Sequence, residues 1–172
     1  MLIRPLTVSD AASYRTLRLR AMREHPEAFT SSYEEEQLKP VHYTAQRLGS
    51  DSPACYWGAF VADAEGGEDT IVGCVGLERE QRLKSRHKAT VIGMYVAPEY
   101  ARRGVARDLL EALLAHARST DLSLLVLTVT QGNAAAETLY LDTGFQSYGV
   151  EPNAIKVGAQ YFAKNQMFMS LA

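Results

Sequence analysis

The 172-residue sequence lacks the features that mark several large classes of protein. No apolar run approaches the roughly 18 residues that a membrane-spanning helix needs. The first residues, "MLIRPLTVSD", carry charge and proline where a secretory signal needs an apolar stretch. A net charge of only −2 argues against a protein that binds nucleic acid through a broadly basic surface. We therefore expect a cytoplasmic protein that contacts neither membrane nor nucleic acid.

Metal-binding and common nucleotide-binding signatures are missing as well. Cys55 and Cys74 lie inside apolar runs without metal-like spacing, which is typical of reduced core thiols. The histidines are scattered along the chain, so we expect no metal site. The sequence has neither the GK[ST] ending of a Walker A loop nor a G-x-G-x-x-G run.

The pattern of apolar residues predicts one α/β domain over residues 1–172. We expect a short strand in "LIRPL", a helix from Ser9 or Asp10 to about Glu24, and a second helix over roughly 40–48. Three strands follow in "ACYWGAFVAD", "TIVGCVGLERE" and "HKATVIGMYVAP", and the polar stretch "AEGGED" joins the first two as a hairpin connection.

The second half of the chain alternates helices and strands. A helix after Gly104 leads to the strand "SLLVLTVT", a short helix in "NAAAETLYLDTGF", and closing strands in "FQSYGV" and "YFAKNQMFMSLA". The resulting order, β-α-α-β-β-β-α-β-α-β-β, predicts an α/β (α+β) fold with a mixed, mostly antiparallel sheet and flanking helices.

The stretch "VAPEYARRGVARDLLEALLAHA", residues 96–117, suggests a phosphate site. Gly104 opens a helix whose first N–H groups are free, and we expect Arg102, Arg103 and Arg107 in its first turn. Cations at a helix N-terminus are unfavourable unless that end holds a polyanion. The alternative is that these arginines are ordinary surface charge.

Two motifs in order resemble the GNAT (GCN5-related N-acetyltransferase) family. "IGMYVAPEYARRGVARDLL" looks like the strand, loop and helix with which that family binds pyrophosphate. "NAAAETLYLDTGF" looks like its N-x-x-A-x-x-L-Y-x-x-x-G-F segment. The resemblance implies splayed middle strands and acetyl transfer from acetyl-CoA to an amine. One departure is Ala101, which stands where the family usually has Gln or Arg.

The resemblance also implies the cofactor-binding residues. They are Met94, Tyr95, Val96, Arg102, Arg103, Gly104, Val105, Ala106, Arg107, Asn133, Ala136 and Tyr140. Backbone groups of Met94 and Val96 would line the pantetheine arm, and Tyr140 would protonate the departing thiolate as general acid. From the residues alone, Asn133 is equally suited to cap a helix, and Tyr140 to pack as a core aromatic.

The base and the acceptor site are less well specified. Glu78 in "GLERE" is the first candidate for general base because it directly follows an apolar run; Glu80 or a chain of waters are alternatives. In "AFTSSYEEEQ", Tyr33, Glu34 and Glu35 are candidates for recognising a cationic amine, although the segment also reads as an exposed acidic helix start. Glu78 is a further candidate for binding the substrate.

The sequence therefore predicts an acyltransferase whose partners are acetyl-CoA and an amine acceptor, with no metal. A small-molecule amine is the first choice of acceptor, and a protein N-terminus or lysine is the alternative. A non-catalytic acyl-CoA-binding regulatory module is the competing class. The sequence leaves a homodimer open.

Overall fold

The computed structural model describes residues 1–62, 67 and 69–171. Its strands are β1 (Leu2–Pro5), β2 (Ala54–Val61), β3 (Thr70–Arg79), β4 (Lys88–Val96), β5 (Leu124–Thr130), β6 (Gln146–Val157) and β7 (Gln160–Ser170). Its α-helices are α1 (Ala11–Glu24), α2 (Tyr33–Gln37), α3 (Val41–Arg47), α4 (Val105–Arg118) and α5 (Ala134–Asp142). The described residues also form short 3-10 helices at Val8–Asp10, Pro26–Ala28 and Pro98–Tyr100.

The seven strands form a mixed sheet in the order β1-β2-β3-β4-β5-β7-β6. Every neighbouring pair is antiparallel except β4 and β5, which run parallel. The predicted α/β fold with a mostly antiparallel sheet is therefore confirmed. The pairing of β2 with β3 confirms the hairpin, whereas residues 64–66 and 68 of the predicted connection "AEGGED" lie outside the described residues.

The middle of the sheet opens between β4 and β5. The two strands pair over three positions only, ending at Thr90 and Val126, and then part. Beyond that point β4 is irregular: its register against β3 shifts near Gly93, which has a φ of +63°. The carboxyl halves of β4 and β5 are therefore unpaired along the edges that face each other, and this confirms the predicted splay.

Helices cover the sheet on both faces. The apolar stripe of α4 packs against one face, where Leu109, Leu110 and Leu113 are fully buried. On the other face α1 buries Tyr14 and Leu17 against the sheet. Each such side chain contributes about 1.5–3 kcal/mol by leaving water, so the sheet and these two helices fix the frame of the splay.

A charged contact joins the start of α1 to β1. Asp10 accepts hydrogen bonds from both terminal nitrogens of Arg4, at 2.8 and 2.7 Å, and from the backbone N–H of Thr7 at 2.7 Å. The hydrogen bonds from Arg4 outweigh burial and lower the pKa of Asp10 to about 2. In the part of the chain that the structure describes, no helix is long and apolar enough to cross a membrane.

Candidate functional site

Gly104 shapes the start of α4. It is the N-cap, with a φ of +82°, and its carbonyl accepts the first helical hydrogen bond from Asp108 at 3.0 Å. The N–H groups of the first turn have no partner within the helix. A Cβ on Gly104 would meet nothing within 4 Å, so the space beside the backbone is open. The expectation that Arg102 and Arg103 lie in the first helical turn was wrong: the glycine turn delays the helix to Val105.

A cleft of about 620 Å³ runs from this turn along the end of β4 and the side of α5; we call it the cofactor cleft. Most of the residues that the resemblance implied line it: Met94, Tyr95, Val96, Arg102, Gly104, Val105, Ala106, Arg107, Asn133 and Ala136. Arg103 does not; its guanidinium carbon lies 5.3 Å from the centre of the Tyr100 ring. Arg107 is partly neutralised by Asp142, at 3.4 Å.

A smaller cavity of about 110 Å³, the splay cavity, lies between the parted halves of β4 and β5. Tyr140 lines it and is only 6% exposed, with its ring packed edge-on against Phe145 at 5.8 Å. The Tyr140 hydroxyl makes no hydrogen bond to any described residue and is not a fully buried atom, so it faces the cavity. Burial raises the pKa of Tyr140, and the phenol keeps its proton at neutral pH.

Asn133 has the capping role that its position in the sequence allowed. Its side-chain oxygen accepts a hydrogen bond from the backbone N–H of Ala136 at 3.2 Å, and this fixes the start of α5. Both residues border the cofactor cleft and the splay cavity. The cap therefore also positions the wall that the two cavities share.

The loop after α1 closes the site from a third side. Phe29 borders the cofactor cleft, the splay cavity and a further cavity of about 420 Å³, which we call the loop cavity. Lys164, only 5% exposed, holds this loop from β7. Its ammonium donates to the carbonyls of Glu27 at 2.9 Å and Ala28 at 3.1 Å, and to the Thr130 hydroxyl at 2.9 Å. Burial lowers the pKa of Lys164.

The acceptor and base candidates lie in different places. Tyr33 and Glu34 line the loop cavity, and the Arg23 guanidinium covers the Tyr33 ring at 4.5 Å and donates to its hydroxyl. Glu78 is exposed at the end of β3 and borders neither the splay cavity nor the cofactor cleft. The apolar run before Glu78 does not bury its carboxylate, because β3 leaves the core at this residue.

Several residues at the site had no signal in the sequence. His25 borders the cofactor cleft and Phe29, in the stretch "AFTSSYEEEQ", borders all three cavities, yet neither residue was singled out from the sequence. Lys164 reaches the site only through the pairing of β5 with β7. Within residues 1–62, 67 and 69–171, no group of three or more His, Cys, Asp or Glu side chains is arranged to hold a metal ion.

The comparisons with known proteins agree with this geometry. The model of the acetyltransferase (GNAT) family matches residues 18–145, and the chain belongs to that family. The resemblance to this family that the two sequence motifs indicated is therefore confirmed. A GNAT-family acetyltransferase from Streptococcus pneumoniae has the same fold, with a TM-score of 0.86 and 23% identity over 99% of each chain.

Two further proteins are similar. The Salmonella typhimurium protein yncA, solved with its cofactor acetyl-CoA, has a TM-score of 0.77 and 20% identity over 100% of this chain and 94% of that one. The [ribosomal protein bS18]-alanine N-acetyltransferase of Escherichia coli (strain K12) is 36% identical over 66 residues. That match spans 38% of this chain and 45% of the relative, less than half its length.

Proposed function

We propose that this protein transfers an acetyl group from acetyl-CoA directly to a primary amine of a small molecule, within a ternary complex. The observation that carries the proposal is the shared wall of two cavities. Met94, Asn133 and Ala136 border both the cofactor cleft and the splay cavity. One extended ligand can therefore run from the helix start at Gly104 to the hydroxyl of Tyr140.

The groups along this path fit a CoA thioester. Free N–H groups at the start of α4 and the charge of Arg102 suit a pyrophosphate, and the open side of Gly104 leaves room for it. The N–H of Ala97 donates to Val72 on β3 at 2.8 Å. Because peptide groups alternate along a strand, the N–H of Val96 points to the opposite edge of β4, into the gap. It is available to the arm or the acetyl oxygen of the ligand.

Tyr140 is the proposed general acid. Its proton would pass to the thiolate sulfur as the amine nitrogen forms the amide bond. A thiol has a reference pKa of about 8.5, so the thiolate is already a fair leaving group and the acid has a supporting role. Glu78 is retained as the proposed base only through a chain of waters, because its carboxylate borders neither cavity.

Release of free thiol from acetyl-CoA, measured over a panel of small amines, amino acids and peptides with free N-termini, tests the proposal. We expect one thiol for each N-acetylated product, and only when both substrates are present. Turnover of peptides alone would favour a protein N-terminus or lysine as the acceptor. CoA binding without turnover of any amine would instead identify a non-catalytic acyl-CoA-binding module. A homodimer and a cytoplasmic location stay predictions.

A further inference from the structure

Arg18 on α1 carries a charge that the protein leaves unpaired. Its Nε is the only buried side-chain nitrogen or oxygen without a hydrogen-bond partner among the described residues. Its guanidinium forms no salt bridge with any described carboxylate. Other partly buried arginines nearby do have partners: Arg47 donates to the Tyr56 hydroxyl, and Arg20 donates to Glu24 and Glu99.

A buried guanidinium N–H without a hydrogen-bond partner is unfavourable unless a bound group supplies the acceptor. Burying a guanidinium N–H without a partner forfeits its hydration, and native structures rarely tolerate such a group. The guanidinium carbon of Arg18 lies 5.5 Å from the centre of the Phe29 ring, and this cation–π contact offsets part of the loss. The Phe29 ring cannot accept a hydrogen bond from Nε as an oxygen would. The guanidinium of Arg18 can therefore still donate hydrogen bonds to a planar acceptor group.

The position of Arg18 connects it to the reaction centre. A terminal nitrogen of Arg18 lies 3.2 Å from the point where a Cβ on Gly93 would stand, so the missing side chain leaves room for the guanidinium. Gly93 is the residue at which β4 becomes irregular, and it lines the splay cavity together with Phe29 and Tyr140. The guanidinium of Arg18 therefore lies against β4 at a residue that lines the splay cavity.

We propose that Arg18 binds an anionic group of the acceptor, so that the preferred substrates are amines that also carry a carboxylate or a phosphate a few bonds from the amino nitrogen. The inference rests on the proposed acetyl transfer and specifies its acceptor. A guanidinium presents two parallel N–H groups that match either anion, whereas the buried groups near Arg18, Tyr14 and Cys74, carry no negative charge at neutral pH.

Matched acceptor pairs test the proposal. Glycine, β-alanine and 4-aminobutyrate are each compared with their own carboxamide, and the corresponding aminoalkylphosphonates separate phosphate-like from carboxylate acceptors. We expect the wild type to favour the best anionic acceptor by about 10- to 100-fold in kcat/KM, the effect of one charge-assisted pair. Arg18→Met should bring the ratio close to one, because turnover of the anionic acceptor falls more than turnover of its carboxamide. Arg18→Lys should restore part of the preference.

Arg118→Met is the matched control, because it removes the same charge from the exposed end of α4. It should keep the wild-type ratio. Equal ratios in the wild type and Arg18→Met, or no preference for anionic acceptors in the wild type, would overturn the inference.

Calorimetry of the same three amino acids with the CoA-saturated protein gives a second readout. If no amine is turned over, the proposed function fails and this titration alone decides on Arg18. If the wild type binds an amino acid and Arg18→Met does not, the anion site is supported. If the wild type binds none of them, or if both proteins bind equally well, the anion site is refuted. Thermal melts of each variant separate these outcomes from unfolding.

Discussion

Placing a carboxylate at Gly104 should weaken CoA binding through charge, and an isosteric control can isolate that effect. Gly104 has a φ of +82°, and its Cβ position is open. Any L-residue there carries strain of about 1–2 kcal/mol, with Asn and Asp the most tolerant. Gly104→Asp and Gly104→Asn therefore share size and strain and differ in charge alone.

The expected difference follows from Coulomb's law. Two like charges about 4 Å apart repel by about 4 kcal/mol at an effective dielectric constant of 20. Arg102 and Arg107 border the same cleft and offset part of this repulsion, as does salt. We expect the Asp variant to bind CoA at least about tenfold more weakly than the Asn variant, or about 1.4 kcal/mol.

Isothermal titration with CoA at two salt concentrations measures the difference in affinity between the Asp and Asn variants, and this difference should be smaller at the higher salt concentration. Equal affinities in two folded variants would refute the placement of the pyrophosphate at this turn.

Four further changes test other parts of the site. Replacing Arg102 and Arg103 together with Ala should weaken CoA binding and reduce its dependence on salt. Equal salt dependence in the wild type and the double variant would show that both arginines are ordinary surface charge. Lys164→Met frees the loop carbonyls, so amide exchange over residues 25–30 should accelerate and the acceptor KM should rise; unchanged exchange would contradict this. Because the pKa of Asp10 is about 2, its carboxylate stabilises the fold above about pH 4, and this stabilisation is lost as the pH falls to about 2. Asp10→Asn should lower the free energy of unfolding by about 2 kcal/mol near neutrality and flatten its decrease at acid pH, as measured by chemical denaturation. An unchanged decrease at acid pH would count against the Arg4 contact. Glu78→Gln should lower kcat and alter the acidic limb of the pH–rate profile without changing CoA affinity, whereas an unaltered profile would remove Glu78 as base.

The sequence predicted the fold well because its signals are local. Alternation marked the strands, and Gly104 marked the start of α4 to within one turn. The capping role of Asn133 followed from residue type and position. Even the error over Arg102 and Arg103 is local, since it concerns only how soon the helix begins after the glycine turn.

The acceptor side could not be predicted in the same way, because long-range packing assembles it. Lys164 meets Glu27 across 137 residues of sequence, and nothing near either residue indicates that contact. From the sequence, Arg18 is an ordinary charged residue of a helix, and only the structure shows that its guanidinium lies beside Gly93. Glu78 was chosen for the apolar run before it, but burial ends with Leu77.

The role of Tyr140 in acetyl transfer is tested most directly by the kinetics of Tyr140→Phe on any accepted amine, with CoA affinity measured separately. The substitution keeps the ring packed against Phe145 and removes only the hydroxyl that faces the splay cavity. A positioned acid contributes about 10²–10⁴-fold, and the fair leaving ability of a thiolate places our expectation near the lower end. We expect kcat to fall by about a hundredfold with nearly unchanged CoA affinity. Full activity in the Phe variant would contradict this role, and so would a loss of affinity equal to the loss of rate.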